Sequence, residues 1–183
     1  MRKLRLLISF FALTIIISSC KFSCKVGSLD ETEPKAMSKG TVKIGDALVY
    51  NDIEITSNAV KLNKAYLVFE NGERVPDGNL VDFTSPVKLV LLIDSGWEIN
   101  NGKVMLGASE KISSETSDEI LNEADLFASY TDGISEEDAR IIGITASIKL
   151  PRGAPPTAFD VHVRVWDKNS DAFIEGRYKL FSK

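Results

Sequence analysis

Two cysteines and one histidine in 183 residues exclude a disulfide scaffold and fall short of an ordinary four-ligand zinc site. Twelve glycines and six prolines are too few for a collagen-like or low-complexity chain. Neither a P-loop nor Gly-x-Gly-x-x-Gly occurs, so nucleotide chemistry has no support and no cofactor is implied. The Gly-x-Ser-x-Gly elbow of serine hydrolases is missing too. A net charge of -4 gives no basic footprint for nucleic acid. What is present is ordinary globular usage, 44% hydrophobic and 26% charged, at a length that suits one domain plus an appendage.

The appendage is at the start. Arg2, Lys3 and Arg5 precede an apolar run over residues 6–17 that only Ser9 and Thr14 interrupt, and Ser18, Ser19 and Cys20 follow. A charged start, a short apolar stretch and small residues at its end predict a signal peptide over 1–19. Twelve helical residues rise about 18 Å, short of the roughly 30 Å of a hydrocarbon core, so a membrane span is excluded on length.

Ile17-Ser18-Ser19-Cys20 resembles the lipobox of bacterial lipoproteins, in which an aliphatic residue and two small ones precede a cysteine. Ile17 and Ser19 stand where the family more often has Leu and Gly or Ala. The resemblance implies cleavage before Cys20, a diacylglycerol on its sulfur and a palmitate-type acyl chain on its amine. More than one acyl chain makes the attachment firm. The other reading is a secreted protein cut nearby by the ordinary signal peptidase. Lys21 follows the cysteine where an inner-membrane retention signal would place aspartate, so the implied address is the outer membrane of the cell envelope. Cys24 is then left without a partner, as a thiol near the membrane surface. Residues 20–40 have no sustained apolar period and read as a tether, with a coil span of about 25 Å.

From residue 41 to 183 the texture is β. Runs at 41–49, 60–69, 87–94, 103–108, 141–150, 159–166 and 173–181 are strand candidates. Asn71-Gly72 and Asn101-Gly102 suit type I′ hairpins, Pro76-Asp77-Gly78 marks a further turn, and 167–171 joins the last two strands. Alternation places Phe159, Val161, Val163 and Val165 inward, with Asp160, His162, Arg164 and Trp166 outward. Val87, Leu89, Leu91 and Ile93 share a strand with Val90 and Leu92, which is therefore apolar on both faces and central. The expected fold is all-β, an antiparallel immunoglobulin-like sandwich over 41–183.

Residues 110–138 depart from this texture, with ten acids and one base, Lys111. They hold the whole net acidity of the domain, and are expected to form a long, partly helical connection laid over one end of the sandwich. Ser135 would cap one helical turn, and Ile120, Ala124 and Phe127 would line another. Leu126 and Phe127 should dock part of it onto the sandwich, since exposing both would leave apolar area in water. Asp118, Glu119, Glu123, Asp125 and Asp132 are conceivable calcium ligands without a diagnostic spacing.

Other chemistry is thinly marked. A catalytic triad would need His162, which alternation places on the outer face beside Asp160 and Arg164, where a plain surface histidine is the simpler reading. Asp167-Lys168-Asn169-Ser170-Asp171 opens like an EF-hand loop, but Ala172 replaces the required glycine and Tyr178 the bidentate glutamate. Trp97, Trp166, Tyr130 and Tyr178 are candidate stacking platforms, with Trp166 the best placed. Paired carboxylates from 110–138 would suit a small glycan hydrolase, given two acids fixed about 5–9 Å apart.

Ala124-Asp125-Leu126-Phe127, Tyr130, the segment from Gly133-Ile134-Ser135 to Asp138-Ala139 and Val163-Arg164-Val165-Trp166-Asp167-Lys168 resemble small bacterial envelope lipoproteins of unassigned function. The resemblance implies a β-sandwich and no catalysis. The expected role is therefore non-enzymatic binding or assembly with a protein or glycan partner. Anchoring should rest on the Cys20 lipid, so Cys20→Ala is expected to move the mature protein into the soluble fraction or block its processing. Membrane fractionation and mass spectrometry of the N-terminus check this, and an unmodified N-terminus at another residue would refute it.

Overall fold

The computed structural model describes residues 42–116 and 119–183; Cys20, Cys24 and the expected signal peptide and tether lie outside them. In chain order the strands are β1 (Val42–Ile44), β2 (Ala47–Val49), β3 (Glu54–Asn58), β4 (Lys61–Phe69), β5 (Leu80–Val81), β6 (Val87–Ser95) and β7 (Lys103–Val104). They continue with β8 (Leu106–Ser114), β9 (Glu119–Glu123), β10 (Ile134–Ser135), β11 (Ile141–Ala146), β12 (Ala158–Asp167) and β13 (Phe173–Ser182). The first sheet runs β1-β2-β4-β6-β11 and the second β3-β13-β12-β8-β9, with β5 beside the end of β13 and β10 paired to β7. The fold is all-β and its two main sheets make a sandwich. Most pairings are antiparallel, but β2 runs parallel to β4 and β5 parallel to β13.

Alternation built both inner faces. Val87, Leu89, Leu91 and Ile93 from the first sheet and Phe159, Val161, Val163 and Val165 from the second are all buried in one core. Ile142, Ile144, Ala146 and Ile148 join it. Burying one such side chain is worth about 1.5–3 kcal/mol. The strand predicted to be apolar on both faces is β6, which is central between β4 and β11. Its other face carries Val90 and Leu92 into a second cluster with Tyr50, Tyr66 and Val68. Arg74 covers that cluster, with its guanidinium carbon 4.0 Å from the Tyr50 ring centre and 4.6 Å from that of Tyr66.

Several local expectations are corrected. The run at 41–49 is two strands, because Gly45 turns the chain with a φ of 61°. The run at 103–108 also divides, and β8 then continues to Ser114. At Asn101-Gly102 both residues take positive φ, 52° and 74°, as a type I′ turn requires. At Asn71-Gly72 only glycine does, and Asn71 Oδ1 instead accepts the Glu73 N–H at 2.9 Å as an Asx turn.

The acidic stretch is a correction of another kind. Residues 110–138 hold most of β8 together with β9 and β10, and among the described residues their helical content reduces to the start of one 3₁₀ turn, Asp138–Arg140. Ser135, expected to cap, ends β10 instead; it accepts the Asp138 N–H at 3.0 Å, but the residue that caps the 3₁₀ turn is Glu137, without a side-chain hydrogen bond. Ile120, expected inside a helical turn, lies on β9 and is exposed. Phe127 is buried in the core and Leu126 packs against it, so the docking of this segment holds.

Where the chain crosses between sheets, two buried asparagines clamp it. Asn51, between β2 and β3, takes the Leu67 N–H on its Oδ1 at 3.0 Å and donates to the Val75 carbonyl and Asn79 Oδ1 at 3.0 and 3.1 Å. Asn79 donates to the carbonyls of Asn51 and Lys179 at 2.8 and 2.9 Å. Leu67 lies on β4 and Lys179 on β13, so the clamp spans both sheets. Asn79 has a φ of 54°, which glycine adopts freely. Asn79→Gly therefore removes the hydrogen bonds without adding strain, and is expected to cost about 2–4 kcal/mol by leaving buried acceptors unpaired. Urea unfolding followed by circular dichroism measures it, and a loss below about 1 kcal/mol would refute the clamp.

Candidate ligand-binding face

The outer face of the second sheet gathers most of the polar side chains that alternation turned outward. Strand register sets them in rows. Glu54, Arg177, His162, Lys111 and Asn122 lie side by side across β3, β13, β12, β8 and β9. The next row is Thr56, Glu175, Arg164 and Ser109, and the one beyond it Asn58, Phe173, Trp166 and Gly107. On the other side of the first row stand Lys179, Asp160 and Ser113. A groove of about 680 Å³ follows the first and last of these rows, lined by Glu54, Lys111, Asp160, His162, Arg177 and Lys179 among others.

Charge on this face is paired but unevenly shared. Glu175 receives His162 Nε2 on its Oε1 at 2.5 Å, while Arg177 and Arg164 approach to 3.6 and 3.9 Å. Partial burial pushes the Glu175 carboxyl up, but the His162 hydrogen bond and the charges of His162, Arg164 and Arg177 outweigh it, so its pKa lies below the ordinary value. Lys179 binds Asp160 at 2.7 Å, and that hydrogen bond raises the lysine above its usual range. Lys111 binds Glu119 at 3.0 Å. His162 is thus outward, as expected, but its partner is Glu175 across the strand pair and not Asp160. Among the described residues no serine hydroxyl bonds its ring, and both cysteines lie outside them.

Beside Glu175 a second cleft, about 460 Å³, is lined by Asn58, Arg164, Trp166, Ser170, Asp171 and Phe173 among others. Trp166 lies across Gly107, where an added β-carbon would collide with Nε1, Cε2 and Cζ2 of the indole. Arg164 stacks its guanidinium 4.4 Å from the Phe173 ring centre. The other aromatic candidates face elsewhere. Trp97 donates Nε1–H to the Ala139 carbonyl at 3.1 Å and packs on the core. Tyr130 leans on Phe127, with ring centres 5.6 Å apart. Tyr178 is buried in the core.

The proposed cation ligands are not brought together. Asp118 lies outside the described residues, and among those described no three His, Cys, Asp or Glu side chains are grouped to hold a metal ion. Asp125 Oδ1 accepts the N–H groups of Ala108 and Phe127 at 3.2 and 2.9 Å, and its Oδ2 binds Lys168 at 2.7 Å. Burial raises this carboxyl, but those hydrogen bonds win and hold its pKa low. The EF-hand-like opening is likewise a backbone brace. Asp167 accepts the Glu98 N–H at 2.6 Å and the Asn169 N–H at 2.9 Å.

One acid was hidden by its neighbours in sequence. Glu110, counted within the acidic stretch, is 2% exposed. It faces inward on β8, and the alternation Leu106, Ala108, Glu110, Ile112 was the available signal. Its Oε1 and the Tyr178 hydroxyl have no hydrogen-bond partner among the described residues. Burial, aided by Glu123 in register on β9, pushes the Glu110 pKa up to about 7. Burial and Glu110 together push Tyr178 well above its ordinary value.

Among the described residues no helix is long and apolar enough to cross a membrane. No protein-family model matches the chain, and a search of the curated proteins finds no match.

Glu110 gives stability a pH dependence. The folded chain holds the proton up to about pH 7, whereas the unfolded chain releases it near 4.5. Stability from this group is therefore full below about pH 4.5, falls as pH rises from 4.5 to 7, and is lost above, by about 3 kcal/mol in all. Glu110→Gln is expected to flatten that slope and to exceed the wild type in stability at pH 8. Urea midpoints at pH 5, 6, 7 and 8 check this, and equal slopes in the two proteins would refute it.

Proposed function

We propose that the chain is a lipid-anchored bacterial envelope protein, held at the outer membrane through Cys20, whose immunoglobulin-like sandwich binds a partner without catalysing a reaction. The observation that carries the binding role is the outer face of the second sheet, where charged and aromatic side chains stand in register around two clefts. A structural sheet face needs neither the groove nor the unevenly shared Glu175 cluster. The anchor rests on Ile17-Ser18-Ser19-Cys20, and the immunoglobulin-like reading on strands that cross repeatedly between two sheets over one core.

A glycan hydrolase using acids from 110–138 has weaker support. Neither cleft is lined by an acid from that stretch, and Glu110 is buried in the core. A pair of acids must flank a cleft to attack a glycosidic bond.

A photoreactive amino acid at position 177 or 179 of the full chain, activated in the native envelope, is expected to give discrete adducts. The same group at Lys43 or Glu70, on or beside the first sheet, should not. Equal adducts at all four positions, or none at 177 and 179, would refute the binding face. Release of reducing ends from envelope polysaccharide by the purified protein would replace it with the hydrolase.

A further inference from the structure

We infer that the cleft beside Trp166 is a binding site for an acidic saccharide, a sugar ring stacking on the indole while its carboxylate or sulfate is taken by Arg164. The inference rests on the binding role proposed above and names the ligand class for one part of that face.

Three features make the cleft a built site. The first is the seat of the indole. Trp166 lies over Gly107 because no side chain stands there, so one face of the ring rests on the sheet and the other is turned outward. A flat aromatic face carries partial negative charge and attracts the weakly positive C–H face of a pyranose. The indole Nε1–H has no acceptor among the described residues, although Trp97 uses its own. It is left to donate to a ligand.

The second is Arg164. Its stacking on Phe173 fixes the plane of the guanidinium, while its approach to Glu175 is 3.9 Å, too long for a hydrogen bond. A planar fork held in place with free donors is suited to bidentate binding of a carboxylate or sulfate. Glu175 is shared among His162, Arg164 and Arg177, so one carboxylate faces two permanent cations and does not by itself neutralise Arg164. Arg164 and Trp166 are two residues apart on one face of β12, about 7 Å along the strand. That is the span from a stacked sugar ring to a charged group on the same or the next sugar.

The third is the rim. Asn58 Nδ2 donates to the Asp171 carbonyl at 2.8 Å and so fixes the hairpin tip, leaving the Asp171 carboxylate to accept from sugar hydroxyls. At about 460 Å³ the cleft is within the range of small-ligand sites. An apolar platform fringed by donors and acceptors fits a sugar better than an aliphatic ligand, which would leave those polar groups unpaired.

Calorimetry on the full chain purified in detergent tests the inference, with trigalacturonate as the carboxylate probe, a sulfated heparin disaccharide as the sulfate probe and cellotriose as the neutral control. At least one acidic probe is expected to bind at least about tenfold more tightly than cellotriose and to shift tryptophan emission. Trp166→Ala should abolish the emission shift and weaken binding about tenfold or more. Gly107→Val, which keeps the indole but removes its seat, should weaken binding comparably with an unchanged circular dichroism spectrum. Arg164→Gln should weaken the acidic probe and remove the salt dependence of its binding. Binding of neither acidic probe, cellotriose binding as tightly, or affinities unmoved by Trp166→Ala and Gly107→Val would each overturn it. Discrete adducts at 177 and 179 with no saccharide binding would refute this site alone, and leave the binding role standing with another ligand.

Discussion

The distance between the two sheets is fixed at one place by hydrogen bonds, and the placement of the charged face follows from it. Asn51 and Asn79 join β4 of one sheet to β13 of the other through side-chain amides that satisfy buried backbone groups. Apolar packing sets sheet separation only on average, because side chains can slide past one another. A pair of amides with defined donors and acceptors admits one arrangement. Lys179, whose carbonyl the clamp holds, shares β13 with Glu175 and Arg177, so a strand that carries much of the outer face is held through its own backbone. The Asn79 carbonyl holds the Phe181 N–H at 3.0 Å, which fixes the end of the same strand.

Much of the arrangement was legible in sequence wherever an apolar period ran long enough. β6, β12 and β13 were found nearly to the residue, and the alternation of β12 turned Asp160, His162, Arg164 and Trp166 to one face. β3 was not legible, because Glu54–Asn58 carries only one apolar side chain at a sheet edge. The Glu175 cluster was hidden for a different reason. Its members lie on two strands and meet only through register, which no local pattern encodes. The seat of Trp166 on Gly107 is the same case, since the two residues are 59 apart in sequence and neighbours only across a ladder. Glu110 was masked by composition, its acid neighbours suggesting a solvated loop where its parity pointed inward.

The acidic stretch shows how charge concentrated in sequence can be dispersed in space. Asp125 braces two backbone N–H groups and Lys168, Glu119 pairs with Lys111, Glu136 with Arg140, and Asp138 with Ser135. Each of these four acids serves a local turn or strand, and among the described residues no three acids are gathered at one centre. Exposed pairs of this kind each contribute only about 0–1 kcal/mol, so their effect is on local geometry more than on net stability. Most of the charge on the outer face comes from β12 and β13 instead.

The hairpin of β1 and β2 has a mechanical consequence. With the proposed anchor at Cys20, tension would enter the domain at Val42, on the outer edge of the first sheet. β1 is held by three residue pairs and β2 joins β4 through only two, so the point of entry is a weak seam. A ligand gripped on the second sheet would pull from the opposite side of the core. Under such a load the edge hairpin would yield first and lengthen the leash, while the nine pairs between β12 and β13 kept the gripping face intact. On the proposed anchoring and binding, the domain would be graded in strength, compliant at the anchored edge and stiff at the gripping face.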